Sequence, residues 1–288
     1  MKVNRSSEAA VGGGKIGNWP LAIGNARAFT LLELLVVISI LGILAALSVP
    51  ALKNLGKSNV QVSAARQMLD DIGHARQMAI SQHTTVYMIF VPGIWNLATT
   101  YQTAALTNLL DKQFTGYNFI SLRSIGDQPG QNTIRYLSEW KALPDGAFVA
   151  TNKFNSYYSY SSGTGNYYPI TDYSPVPVSP NPMKIYSFAT GNFPFPAETN
   201  INFNLPYVAF NYLGQLTVDG VTGSANDEYI PLAQGAVFYP SDPNTKALQF
   251  SAPDASENPP GNSTSSMFNV IRIDHLTGRA VQLHQKVQ

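Results

Sequence analysis

Ala28-Phe-Thr-Leu-Leu-Glu-Leu-Leu-Val-Val-Ile-Ser-Ile-Leu-Gly-Ile-Leu-Ala-Ala-Leu-Ser-Val-Pro50 is the stretch on which the reading of this chain turns. From Leu34 to Leu52 no residue carries a charge. Wound as an α-helix at about 1.5 Å per residue, that run approaches the roughly 30 Å hydrocarbon thickness of a bilayer. One carboxylate, Glu33, stands at its head. A charge at the centre of a membrane helix costs on the order of 2.5–3.5 kcal/mol even on lenient scales, so a lone acid there needs a physical reason. Thr30-Leu-Leu-Glu33 has the form of a capping box, Ser/Thr-x-x-Glu, which starts a helix at Thr30.

Working outward, residues 1–28 lack periodicity and carry Lys2, Arg5, Lys15 and Arg27 against Glu8. Basic residues flanking an apolar span keep that side cytoplasmic, so the bulk of the chain is expected across the membrane. Gly12-Gly-Gly-Lys15 lacks the spacing of a phosphate loop and no strand precedes it. An ordinary secretory signal with cleavage near Val49-Pro50-Ala51, or a plain signal-anchor, competes for the same residues. Neither explains an acid at the head of the apolar core.

Beyond Pro50, Lys53 and Lys57 mark the far membrane interface, while Pro50 and Gly56 weaken the helix locally. The helix then continues from Val60 to Gln82, where Ala65, Met68, Ile72, Ala75 and Ala79 fall at alternating spacings of three and four. That is one apolar stripe, suited to packing on a folded domain; Ala and Met make a thin seam for a free-standing coiled coil. Asp70-Asp71 is expected on the solvated face.

The remainder reads as β structure. Thr84–Val91 is a strand stopped by Pro92-Gly93. Residues 93 to about 200 hold ten of the 15 tyrosines, interleaved with Ser, Asn and Gly, and include the polyproline-like Ser174–Pro182. This composition suits an adaptable binding surface or a long β insertion, and the second is the plainer reading. Strands are expected at Pro206–Thr217, Tyr229–Ala233, Gly235–Tyr239, Phe268–Asp274 and Gly278–Leu283. The last two form a terminal hairpin around His275-Leu-Thr-Gly278, with one buried face on the first of them. Ser251–Ser266 reads as a mobile loop. The fold class is α+β: a long N-terminal helix packed on a C-terminal antiparallel β domain. The expected divisions are 1–28, 29–82 and 83–288.

The run Ala28-Phe29-Thr30-Leu31-Leu32-Glu33 resembles the class III signal of type IV pilins and type II secretion pseudopilins. Ala28 takes the small-residue place usually held by Gly, Phe29 that of the new N-terminus, and Glu33 that of the glutamate four residues on. Pro50 falls where this family carries a helix-kinking proline. Ala75-Arg-Gln-Met-Ala79-Ile80 running into Val86-Tyr-Met, and the ending on a strand pair with Thr277-Gly-Arg279, resemble the H-class minor pseudopilins and FimT-type minor pilins. The resemblance implies cleavage between Ala28 and Phe29 by a prepilin peptidase and methylation of Phe29. It implies as partners other pilin or pseudopilin subunits, an inner-membrane assembly platform and membrane lipid. It places the chain in the bacterial inner membrane with a single pass and a periplasmic C-terminal domain, then in a filament. Glu33 and Pro50 become assembly residues, the Glu33 carboxylate meeting the terminal amine of Phe29. At about 4 Å and an effective dielectric near 20 such a pair is worth roughly 4 kcal/mol.

No catalytic constellation is expected. His74, His83, His275 and His284 lack zinc-site spacing, no Gly-x-Ser-x-Gly elbow occurs, and there is no cysteine. Some pseudopilins bind calcium, and Asp219, Asp227 and Glu228 invite that reading, but without EF-hand spacing; no metal or cofactor is expected. A net charge of +1 lacks the global footprint of a nucleic-acid binder. Arg272 and Arg279 make the terminal hairpin locally basic and, as FimT-type pilins can bind DNA through this region, they are the candidates for ligand contact. The alternative function is accordingly a filament-tip module that binds DNA, glycan or protein.

Overall fold

The computed structural model describes residues 30–94, 104–128, 131–154, 171–173, 183–198, 201–263 and 269–284, with the backbone alone at 47–59, 104–105, 171–173, 183–184 and 284. The chain divides into two units, Met1–Ala51 and Leu52–Gln288. Helix α1, Leu31–Gln82, contributes to both, and its helical assignment runs through Pro50 and Gly56 without interruption. Among the described residues no helix is long and apolar enough to cross a membrane. The uncharged run Leu34–Leu52 passes beyond Ala46, where side-chain description stops.

In the second unit, Val60 to Gln82 of α1 is followed by β1 (Val86–Phe90), a short α2 (Ala104–Thr107), β2 (Gly116–Ser121), β3 (Arg135–Tyr136), β4 (Lys141–Ala142) and β5 (Ala147–Val149). Then come β6 (Thr171–Tyr173), β7 (Met183–Ile185), β8 (Ala189–Pro194), β9 (Asn202–Phe210) and β10 (Leu216–Thr217). The last four are β11 (Glu228–Phe238), β12 (Asp254–Glu257), β13 (Asn269–Ile273) and β14 (Ala280–His284). One sheet runs β10-β9-β1-β2-β3, with β4 also on β2 and β8 on β9. A second runs β12-β11-β13-β14, with β5 also on β11, and β6 pairs β7. Every pairing is antiparallel. The class is α+β, as the sequence pattern implies.

The stripe Ala65, Met68, Ile72, Ala75 and Ala79 is wholly buried, joined by Ala64. It packs against Val86, Met88 and Phe90 of β1, Tyr117 and Phe119 of β2, and Ile230, Leu232, Ile271 and Ile273 of the second sheet. Small side chains on a helix allow close approach to both sheets. The intervening residues of β1 and β9, Ile89, Leu205, Tyr207 and Ala209, point the other way into a second core with Leu106, Leu110, Phe193 and Phe195. Period-two alternation thus serves two apolar layers, one on each face of the first sheet.

Three expectations need correction. Residues 93–200, expected as an insertion, supply core strands where described: β2, buried along its whole length, is the direct partner of β1, and β5 pairs the centre of β11. Ser251–Ser266 contains β12, and Asn262 is pinned by donating to Gln234 O at 2.6 Å and accepting from Gln234 N–H at 2.9 Å. The separate strands expected at Tyr229–Ala233 and Gly235–Tyr239 are one strand, β11, which changes partner from β13 to β5 to β12 along its length. Propensity cannot see long-range pairing of this kind. The clustered tyrosines 157–168 and Ser174–Pro182 lie outside the described residues.

The strand β13 is also buried more completely than its alternation implied. Ile271 and Ile273 face the helix core, and Val270 on the other face is covered by Ile185 and Tyr229.

Candidate functional site

The N-terminal stretch of α1 is built by its own caps. Thr30 Oγ1 accepts the N–H of Glu33 at 3.2 Å, and Thr30 O accepts the N–H of Leu34 at 3.1 Å. Thr30 is therefore the N-cap, and Glu33 sits in the first turn, near the positive end of the helix dipole. This is the N-cap half of the capping box read from the sequence, with the Thr30 hydroxyl as acceptor. The Glu33 side chain makes no hydrogen bond or ion pair among the described residues, so its carboxylate oxygens remain available to a partner.

Around this acid the helix is apolar on every side. Leu31, Leu32, Leu34, Leu35, Val36, Val37, Ile38, Ile40, Leu41, Ile43 and Leu44 are all between 45 % and 83 % exposed. The one interspersed hydroxyl, Ser39, folds back to donate to Leu35 O at 2.8 Å and presents no unmet donor outward. Covering such side chains yields on the order of 1 kcal/mol each at half exposure, or roughly 10 kcal/mol for the segment. That exceeds the roughly 3 kcal/mol cost of taking Glu33 out of water. The segment can therefore be buried with the acid unmet, and the acid then decides between otherwise similar apolar surroundings.

Of the other residues singled out by sequence, Ala28 and Phe29 lie outside the described residues, and Pro50 lies within α1 with only its backbone described. The terminal hairpin forms as expected, β13 with β14, but its charges are arranged differently from a free basic patch. Arg272 Nη2 pairs with Asp227 Oδ2 at 2.7 Å and lies 3.9 Å from Asp274, while Arg279 is exposed. Asp227 also meets the His275 ring at 2.7 Å and accepts the His275 N–H at 2.9 Å. Burial pushes the Asp227 carboxyl up, but His275 and Arg272 outweigh it and hold it below the usual carboxylate range. What those bonds contribute to stability is complete above the ordinary carboxylate pKa of about 3.9 and is lost as pH falls through the lower folded value.

Asp227, Asp274 and His275 bring ligand-type atoms within 4.8 Å of one another, yet the Arg272 guanidinium already stands where a cation is called for. Asp219, Asp227 and Glu228 do not converge as a calcium loop. Asp219 is satisfied by Thr217, Val221 and Thr222, Asp227 by Arg272 and His275, and Glu228 by Lys153.

Two polar clamps escaped the sequence reading. Asp71, expected in solvent, is buried: it accepts from Lys141 Nζ and Tyr117 Oη, each at 2.5 Å. Gln67 Nε2 adds donations to Tyr117 Oη and Ala142 O at 2.8 Å, so one turn of α1 is tied to β2 and β4. Lys153 is fully buried, donates to Tyr186 O at 2.6 Å, pairs with Glu228 and lies 4.7 Å from the Phe188 ring centroid. Burial pulls its ammonium below the usual lysine range despite Glu228. Partners tens of residues apart leave no local signal; the only hint was Asp71 standing one place before Ile72 of the stripe.

The end of α1 is held as firmly. Arg76 Nε donates to Thr277 O at 2.6 Å, and Leu216 N–H donates to His275 O at 3.1 Å. Gly278, at φ +62°, lies so close to the 211–216 turn that a Cβ there would stand 2.0 Å from Gly214 O. Only glycine permits this approach of backbone to backbone.

Residues 23–49 match the prokaryotic N-terminal methylation motif. No curated protein and no solved structure matches the chain. The matched residues contain Ala28 and Phe29, where the cut is expected, the helix cap, Glu33 and most of the exposed apolar segment. The chain carries a type IV pilin- or pseudopilin-like signal, the mark of pilus or pseudopilus subunits processed by a prepilin peptidase.

Proposed function

We propose that this chain is the precursor of a minor pilin-like or pseudopilin subunit, of the kind represented by the H-class pseudopilins and FimT-type minor pilins. The observation that carries the reading is an exposed helical surface, apolar on all sides from Leu31 to Leu44, that opens on an N-cap and a carboxylate with no partner among the described residues. Prepilin peptidase cuts between Ala28 and Phe29 and methylates the new amine. The apolar segment then anchors the subunit in the bacterial inner membrane by a single pass, with the β domain in the periplasm. Delivered by the inner-membrane assembly platform, the subunit exchanges lipid for the helices of other pilin or pseudopilin subunits.

Glu33 selects the docked state: lipid offers it no partner, whereas a terminal amine in the filament does. The role is structural and mechanical rather than catalytic. The chain starts, caps or joins a short filament of a secretion system or pilus.

Intact mass of the protein recovered from membranes tests the processing step. Loss of residues 1–28 with addition of one methyl group is expected. A mass that retains the leader, or one that starts near Leu52, would overturn the proposal.

A further inference from the structure

The start of β1, the end of β2 and the 219–221 turn line an open pocket of about 550 Å³. That is the size of a small-molecule site. Its wall is fixed by the protein's own bonds. Asp219 accepts from Thr217 Oγ1 at 3.0 Å and from the N–H groups of Val221 and Thr222 at 2.9 and 2.7 Å. Thr85 Oγ1 donates to Gly220 O at 2.5 Å. Gly220 has φ +82°, and a Cβ there would stand 2.5 Å from Tyr87 Oη, so glycine leaves the phenol its place. The Tyr87 ring is itself gripped edge-on by Phe193 and Tyr207, at 5.2 and 5.4 Å between centroids.

Beside this frame the side chains of Tyr87, Arg123, Asn132, Asn192 and Tyr212 line the pocket; the last four are exposed, and none of the five makes a side-chain hydrogen bond among the described residues. Two amides and two phenols both donate and accept, and three apolar side chains, Leu122, Ile134 and Val221, lie among them. Charge is sparse. Arg123 is the only permanent cation of the lining, and the Asp219 oxygens are already occupied. A phosphate calls for several converging donors of positive charge, and a metal ion calls for open carboxylates; neither is provided. Closely spaced hydroxyls on a partly apolar ring are what mixed donor–acceptor groups beside aromatic and aliphatic surface complement.

We propose that this pocket binds a neutral saccharide of one or two rings, with Tyr87 and Asn192 among its hydrogen-bonding contacts. The β domain is then a carbohydrate-recognising head, whatever anchors it. The proposal is independent of the processing step, since residues 83–221 form the site: intact mass and sugar binding each can fail without the other.

The test is saturation-transfer NMR on the full chain in lipid nanodiscs, which avoids detergents with sugar headgroups. Glucose, galactose, N-acetylglucosamine, maltose and lactose are the probes, with inorganic phosphate as the competitor. Saturable transfer to at least one sugar is expected. Tyr87→Phe keeps the ring and Asn192 is exposed, so neither Y87F nor N192A disturbs the core. Each is expected to weaken binding about fivefold to tenfold, the worth of one hydrogen bond. Unchanged near-ultraviolet circular dichroism would show the fold intact in both variants. Absence of transfer to every sugar, affinity unaltered in both variants, or displacement of the sugar by phosphate would overturn the proposal.

Discussion

The two ends of α1 are made of the same kind of residue and meet opposite fates. From Leu31 to Leu44 the apolar side chains surround the helix and stay exposed; from Ala64 to Ala79 they form one stripe and vanish into the core. Each end also holds an acid. Among the described residues Glu33 makes no bond from its carboxylate, whereas Asp71 is met by a lysine, a tyrosine and, through that tyrosine, a glutamine. The difference separates two kinds of job. A one-sided stripe with a satisfied acid is finished within its own chain, while an all-round apolar surface with an open acid is finished only by something outside it.

The largest effect that tests this contrast is expected from Ile72→Asp. A charge placed in the stripe has no partner and costs more than about 4 kcal/mol, enough to unfold a marginally stable domain. Ile38→Ala, in the exposed segment, is expected to leave unfolding of the β domain within about 0.5 kcal/mol of wild type. Urea titration of the full chain, followed by near-ultraviolet circular dichroism, measures both. Equal losses from the two would erase the distinction.

Glu33→Leu comes next. Roughly 4 kcal/mol of pairing with an incoming amine corresponds to about a thousandfold in preference for the docked subunit. Incorporation into filaments is expected to fall steeply while the fraction in the membrane stays unchanged, because apolar burial dominates insertion. Cell fractionation beside immunoblots of sheared filaments reads the two quantities separately. Undiminished incorporation would mean that the open acid does not select the docked state.

Asp71→Leu should cost less than Ile72→Asp but more than Ile38→Ala. Lys141 is 35 % exposed at its side chain and recovers water, so the loss is the bond to the buried Tyr117 hydroxyl, about 1–3 kcal/mol in the same urea titration. A loss as large as that of Ile72→Asp would show the clamp, rather than the stripe, to be what fixes α1 to the sheets.

Legibility in the sequence followed the range of the interactions. The stripe Ala65 to Ala79, the strand ending at Pro92 and the terminal hairpin were readable because helix and strand periods are local properties of the backbone. Thr30 and Glu33 were readable for the same reason, being three residues apart. The 93–200 stretch was readable as a β insertion, but not the central place of β2 in it, because β2 finds β1, β3 and β4 through pairings that no short window of residues contains. Asp71 was assigned to solvent because a neighbouring Asp70 is indeed exposed and nothing local distinguishes the two. The pocket beside Tyr87 was invisible for a related reason: its lining comes from His83 at one extreme and Val221 at the other.

By itself, then, the sequence determined the processing signal, the apolar anchor with its acid, the helix face that seeks a core and the α+β class, all of them matters of spacing along the chain. Tertiary structure alone decided which charges are spent on one another and which polar groups are left facing an empty space. Arg272 was committed to Asp227, Lys153 to Glu228 and Lys141 to Asp71, while Tyr87 makes no side-chain hydrogen bond among the described residues. The reason is that charge pairing and desolvation act over a few ångströms in space, at distances set by sheet register, whereas periodicity acts over a few residues in sequence.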